Sequence, residues 1–151
     1  MNISKHLTLA EVTHSETAIK LGIENTPTPA QLENLILIAN KVFEPVRNHF
    51  NAPVHVSSGY RITNLNLAIK GSVSSQHCNG EALDLDNDGS KVTNAMIFNW
   101  IKDNLEFDQL IWEFGTDKNP GWVHVSYVKS GNRKQVLRAV KESGKSVYQK
   151  Y

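Results

Sequence analysis

Apolar residues recur at helical spacing in the first third of this chain and alternate with polar ones further on. Leu32, Leu35, Ile36, Ile38, Ala39, Val42 and Phe43 give one face of a helix. Thr28, Pro29 and Gln31 announce its start, with a capping residue, proline at the first position and glutamine three after the cap. The helix is expected to kink at Pro45 and fade near Phe50. Upstream, Thr8 and Glu11 have capping-box spacing, and residues 15–21 predict a short helix closed by Gly22.

Beyond residue 50 the rhythm changes. Val54-His55-Val56-Ser57 reads as a strand broken by Gly59, and Ala82-Leu83-Asp84-Leu85-Asp86 alternates as a second. Phe107–Trp112 and Trp122–Val128 predict two more, and Gln135–Val140 is either a last strand or an ordered tail. Between them lie a short helix over Leu65–Ile69, closed by Gly71, and one capped by Ser90 that carries Val92, Met96, Ile97 and Trp100. Helices first and strands on short links imply an α+β fold, an antiparallel sheet with helices packed on one side.

Composition narrows the class. The 151 residues suit a single domain, 1–151, with one core. The net charge is +1 and no long basic run occurs, which argues against a nucleic-acid partner. Arg133, Lys134 and Arg138 are read as a solvated face. One cysteine, Cys78, precludes an intrachain disulfide, so folding needs no oxidising compartment. No apolar run is long enough to span a membrane, and the start MNISKHLTLAEV lacks the apolar stretch of a secretory signal.

Three residues carry candidate metal chemistry. His77 and Asp84 are seven apart, and His124 sits on a late apolar strand. Zinc takes imidazole nitrogen and carboxylate oxygen, and a catalytic zinc keeps one position for water. Asp84 opposes Leu83 and Leu85 in direction, and His124 opposes Val123 and Val125, so both can face one cleft while their neighbours fill the core. Gly80 permits a tight turn between the first two ligands.

The surrounding residues sharpen this. Ser75-Gln76-His77-Cys78-Asn79-Gly80-Glu81-Ala82-Leu83-Asp84 has the form S-x-H-x-x-G-x-A-x-D. Upstream stand Ser58-Gly59-Tyr60-Arg61, Asn66 and Gly71-Ser72; downstream stands Trp122-Val123-His124-Val125-Ser126. In this order the segments resemble the M15 group of D-Ala-D-Ala carboxypeptidase-like zinc peptidases, which share a fold with the hedgehog signalling domain. The resemblance implies one zinc ion held by His77, Asp84 and His124, and hydrolysis of peptide bonds in bacterial peptidoglycan.

The same resemblance places Arg61 near substrate, where its planar fork suits a carboxylate or an oxyanion. Ser75 is a candidate to touch substrate or orient the metal shell, with a turn role as the alternative. Many relatives carry an acid three residues before the last histidine, where this chain has Gly121. Glu113 is therefore chosen as the catalytic base, with Asp117 as runner-up. Asp84, Asp86, Asp88 and Gly89 look like the start of a calcium loop, but its twelfth position is Ala95, so that reading is rejected. Asp86 is read as loop support, Cys78 as packing, and His6, His14, His49 and His55 as surface or structural. Trp112 and Trp122 either line a cleft or fill the core.

The expected function is a zinc metallopeptidase, a D,D-carboxypeptidase or an endopeptidase of endolysin type. It would act as a monomer, with cytoplasmic synthesis and phage-type release to the wall. The alternative is a zinc-bearing binding module of the same fold without catalysis.

Overall fold

A computed structural model describes residues 1–151. Two capped helical turns open the chain, α1 (Leu9–Thr13) and α2 (Glu16–Leu21). Thr8 and Glu11 form the expected capping box, and Gly22 closes α2 in the left-handed conformation. The long helix starts as predicted, with Thr28 and Gln31 capping each other and Pro29 in the first turn of α3 (Pro29–Ile38). Its irregularity falls before Pro45 rather than at it. Ala39–Phe43 is a π-helical turn in which Glu44 N–H bonds back to the Ala39 carbonyl, and Pro45 then lies in the first turn of α4 (Glu44–Phe50). Proline lacks an N–H and is tolerated in a first turn, so the ladder adjusts upstream of the ring.

The sheet comprises β1 (Val56–Ser58), β2 (Ala82–Leu85), β3 (Gln109–Glu113), β4 (Trp122–Ser126), β5 (Gln135–Glu142) and β6 (Lys145–Lys150). Their spatial order is β1-β2-β4-β3-β5-β6. All neighbours are antiparallel except β3 and β5, which run parallel. Asp108 anchors that crossover. Its carboxylate grips Arg133 at 2.7 and 2.9 Å, and its carbonyl accepts from Gln135 N–H. The open choice at Gln135 resolves as a strand, and a further strand follows it. Ser143 and Gly144 both adopt positive φ in the turn between them, the backbone a two-residue hairpin requires.

Two further short helices complete the chain, α5 (Thr63–Ala68) and α6 (Asn94–Asn104). Thr93, not Ser90, caps α6; Ser90 instead belongs to the preceding turn, where its hydroxyl accepts from Val92 N–H. Asp86 does support this loop, accepting from Asp88 N–H and from the Asn94 amide.

One side of the sheet is the core. Leu83, Leu85, Val123, Val125, Leu110 and Trp112 pack with Leu35, Ile38, Val42, Val46, Ile97, Phe98 and Ile101 from the helices. Burying each such side chain contributes roughly 1.5–3 kcal/mol. No helix is long and apolar enough to cross a membrane.

Candidate metal centre and cleft

The other side of the sheet is a polar cleft of about 950 Å³. Strand register decides what lines it. One row of partners crosses all six strands, Ser58–Asp84–His124–Ile111–Leu137–Lys150. Partners opposite one another project from the same face. Asp84 and His124 are thus neighbours across β2 and β4, as their alternation with buried apolar residues predicts. An irregularity between Val56 and Ser58 sets Ser58 opposite Asp84 while Val56 stays with Leu85 in the core.

His77 comes from outside the sheet, on a short 3-10 turn, Gln76–Asn79. Gly80 ends this turn at φ 72, and a Cβ there would stand 2.4 Å from the Gln31 carbonyl oxygen. Both the turn and its seat on α3 therefore need glycine. The Ser58–Arg61 segment holds the turn in place. His77 Nδ1 donates to the Gly59 carbonyl at 2.6 Å, and Arg61 N–H donates to the His77 carbonyl at 3.2 Å. Gly59 does more than break a strand. It packs so closely on α1 that a Cβ would meet the Val12 carbonyl oxygen at 2.5 Å. Its neighbour Tyr60 is buried and donates its N–H to that same carbonyl.

A carbonyl only accepts, so the Gly59 bond places the proton of His77 on Nδ1 and leaves the Nε2 lone pair facing Asp84 at 3.3 Å. His124 Nδ1 lies 3.0 Å from the same Asp84 oxygen. One ligand atom from each of the three residues falls within 4.8 Å of the others. Burial pushes the His77 pKa down, against the pull of Asp84, which favours the neutral imidazole a metal requires. Burial alone would raise Asp84, but His77 and His124 outweigh it and hold the carboxyl far below the usual range. The result is a fixed carboxylate between two imidazoles, open to a cleft: an arrangement able to hold a divalent cation. Cys78 is half-buried on the 3-10 turn and is not part of the trio.

Glu113 ends β3 and lines the cleft, 6% exposed. Burial, opposed by His124 and reinforced by Asp84, pushes its carboxyl up to about 7. Gly121 donates its N–H to the Glu113 carbonyl at 2.8 Å, so the glycine and the acid face each other at the loop end of the β3–β4 hairpin. Asp117 is not brought to the cleft. It is exposed and pairs with Arg138, whose guanidinium lies over the Trp112 ring on the core side. Arg61 lines the cleft, its two terminal nitrogens donating to Ser58 and Ser75 hydroxyls at 3.3 and 3.2 Å. Its Nε is buried without a partner. Ser75 thus orients Arg61 from the position just before the turn.

A family model described as peptidase M15 matches residues 5–126. The chain belongs to the peptidase M15 family. Every M15-like segment read from the sequence lies inside that match, and the protein is accordingly a peptidase. No curated protein matches the chain in direct sequence comparison.

The choice left open for the two tryptophans resolves differently for each: Trp122 lines the cleft whereas Trp112 is core. Sequence reasoning passed over several other cleft residues. Gln76, next to His77, donates to Asp108 at 3.0 Å and so ties the ligand-bearing turn to the crossover. Lys141, Ser146 and Tyr148 reach the cleft from β5 and β6. The signal for them was the Ser143-Gly144 turn pair between two short runs carrying valine and tyrosine.

Proposed function

We propose that this M15 peptidase is a zinc enzyme that hydrolyses a bond within the peptide part of bacterial peptidoglycan. The observation that carries the reading is the convergence of His77, Asp84 and His124 with the partnerless carboxyl of Glu113 on one cleft face. Two imidazoles and one carboxylate are the donor set of a catalytic zinc, whose ligand atoms stand roughly 3.3 Å apart in tetrahedral geometry. The separations of 3.3 and 3.0 Å fit that set. When bound, zinc would supply polarisation of the scissile carbonyl and acidification of water.

The chain's own residues supply the rest. Glu113 takes a proton from the attacking water as its oxygen bonds to the carbonyl carbon. It then delivers that proton to the departing nitrogen as the C–N bond breaks. Arg61, held by Ser58 and Ser75, offers its fork to a substrate carboxylate or to the oxyanion. The cleft continues past the trio on both sides, to Lys70–Ser75 and to Lys141, Ser146 and Tyr148, which suits a bond inside a chain. A module kept only for binding has no use for a buried, partnerless base. One chain supplies every residue of the site, so a monomer suffices.

The test is mass spectrometry of fragments released from defined muropeptides by zinc-loaded and by chelated protein. Zinc-dependent cleavage at one bond type is expected. Intact muropeptides across the panel, with one zinc bound per chain, would overturn the peptidase reading.

A further inference from the structure

Residues 127–151 lie beyond the stretch shared with the family model, yet they provide two of the six strands and one wall of the cleft. Register explains how. A second row of partners, Trp122–Glu113–Ala139–Tyr148, crosses β4, β3, β5 and β6. Tyr148 therefore stands on the face of Glu113, two strands away. Ala139 between them is fully buried and ends at its Cβ, which leaves room for the phenol to lie across it toward the acid. Burial and the carboxylates of Glu113 and Asp84 hold the Tyr148 hydroxyl above its usual range, so it stays a donor.

One row further out, Lys141 stands opposite Ser146. Its Nζ donates to the Ser146 hydroxyl at 3.0 Å and sits 5.1 Å from the Phe114 ring centre. These contacts position the ammonium without neutralising it, and its remaining N–H donors are uncommitted. The other cleft cations differ. Arg133 is held by Asp108, Arg61 by two hydroxyls on the far side of the trio, and Lys70 lines the opposite stretch of the cleft with Ser72 and Ser75, away from the hairpin wall. The hairpin wall thus presents a cation and a phenol donor side by side, adjoining the base and opposite Arg61.

We infer that Tyr148 and Lys141 form a specificity subsite for a free carboxylate on the substrate residue beside the bond that is cut. The inference rests on the peptidase reading above and adds the side-chain chemistry it selects. A peptide whose carboxylate is free binds through Lys141 and the Tyr148 hydroxyl; the same peptide as carboxamide loses the charge pairing.

The test uses two synthetic stem peptides that differ only in that group, acid against carboxamide. Calorimetry with the zinc-loaded full chain carrying Glu113→Gln measures binding without turnover. The acid form is expected to bind about tenfold more tightly, the scale of one charge-assisted hydrogen bond. Lys141→Met should bring the ratio to about one, Lys141→Glu should invert it, and Tyr148→Phe should weaken the acid form several-fold. Lys145→Met, on the opposite face of the same hairpin, should keep the full preference. Equal affinities, no binding of either peptide, or a preference that survives Lys141→Met overturns the subsite. Cleavage is scored separately with Glu113 intact. A Lys141-dependent preference without cleavage retains the subsite and removes the peptidase reading; cleavage without preference does the reverse.

Discussion

The two faces of β2 and β4 are built from alternate residues of the same strands, yet they have opposite characters. On one face Leu83, Leu85, Val123 and Val125 are fully buried against the helices. On the other, Asp84 and His124 meet His77 beside a cleft. The apolar face fixes strand position to the tolerance of close packing. That rigidity lets a carboxylate and two imidazoles be held together on the other face. Stability and chemistry are therefore separable by residue parity, and substitutions on each face should fail in different ways.

The largest effect belongs to the site face. His77→Ala should bind no zinc and lose all activity while still folding, which metal analysis and circular dichroism would show. Full zinc in both His77→Ala and His124→Ala would remove the trio as the metal site. On the core face, Leu83→Ala should cost about 2–5 kcal/mol in urea unfolding and yet leave one zinc per folded molecule. Loss of zinc from folded Leu83→Ala would show that the faces are not separable.

Next comes the base. Glu113→Gln should keep zinc and fold and lower kcat by roughly a hundredfold or more, while Asp117→Asn, tied to Arg138 outside the cleft, stays near the unsubstituted rate. A dead Asp117→Asn with an active Glu113→Gln would transfer the role to the loop. Arg61→Lys keeps charge but loses the fork, and should lower kcat/KM by about tenfold with zinc retained. Unchanged kcat/KM would take Arg61 out of the substrate contacts.

The smallest effect concerns acid stability at the crossover. Hydrogen bonds from Arg133 hold the Asp108 carboxyl down at about 2, against burial. A group depressed on folding stabilises the protein above its unfolded pKa, here roughly 3.9. That contribution drains away as pH falls from about 4 toward 2. Asp108→Asn should flatten thermal stability across that window and lower it at neutral pH. An unchanged slope between pH 4 and 2 would show that the clamp does not contribute.

Much of the site was legible because its signals are local. Asp84 and His124 each stand between two apolar residues, and alternation alone places them on the face opposite the core. The capping of α1, α2 and α3 was equally readable, since a cap is a contact between residues three apart. The choice of Glu113 over Asp117 needed a pairing: only the β3–β4 register sets one acid into the cleft and leaves the other beside Arg138. The π turn before Pro45 and the parallel seat of β5 were not legible, because each satisfies hydrogen bonds with partners that spacing does not name.

By itself the sequence determined the starts of the first three helices, the inward and outward parity of the strands, the chemical identity of the trio and the family to which the chain belongs. These depend on residue type, on contacts between near neighbours, or on motif order. The tertiary structure alone decided which lone pair His77 presents, that Gly59 must be small against Val12, and that Tyr148 and Lys141 share a face with Glu113. Each of those follows from two segments brought together by folding, and period-two alternation tells a side chain's face but not its neighbour across the sheet.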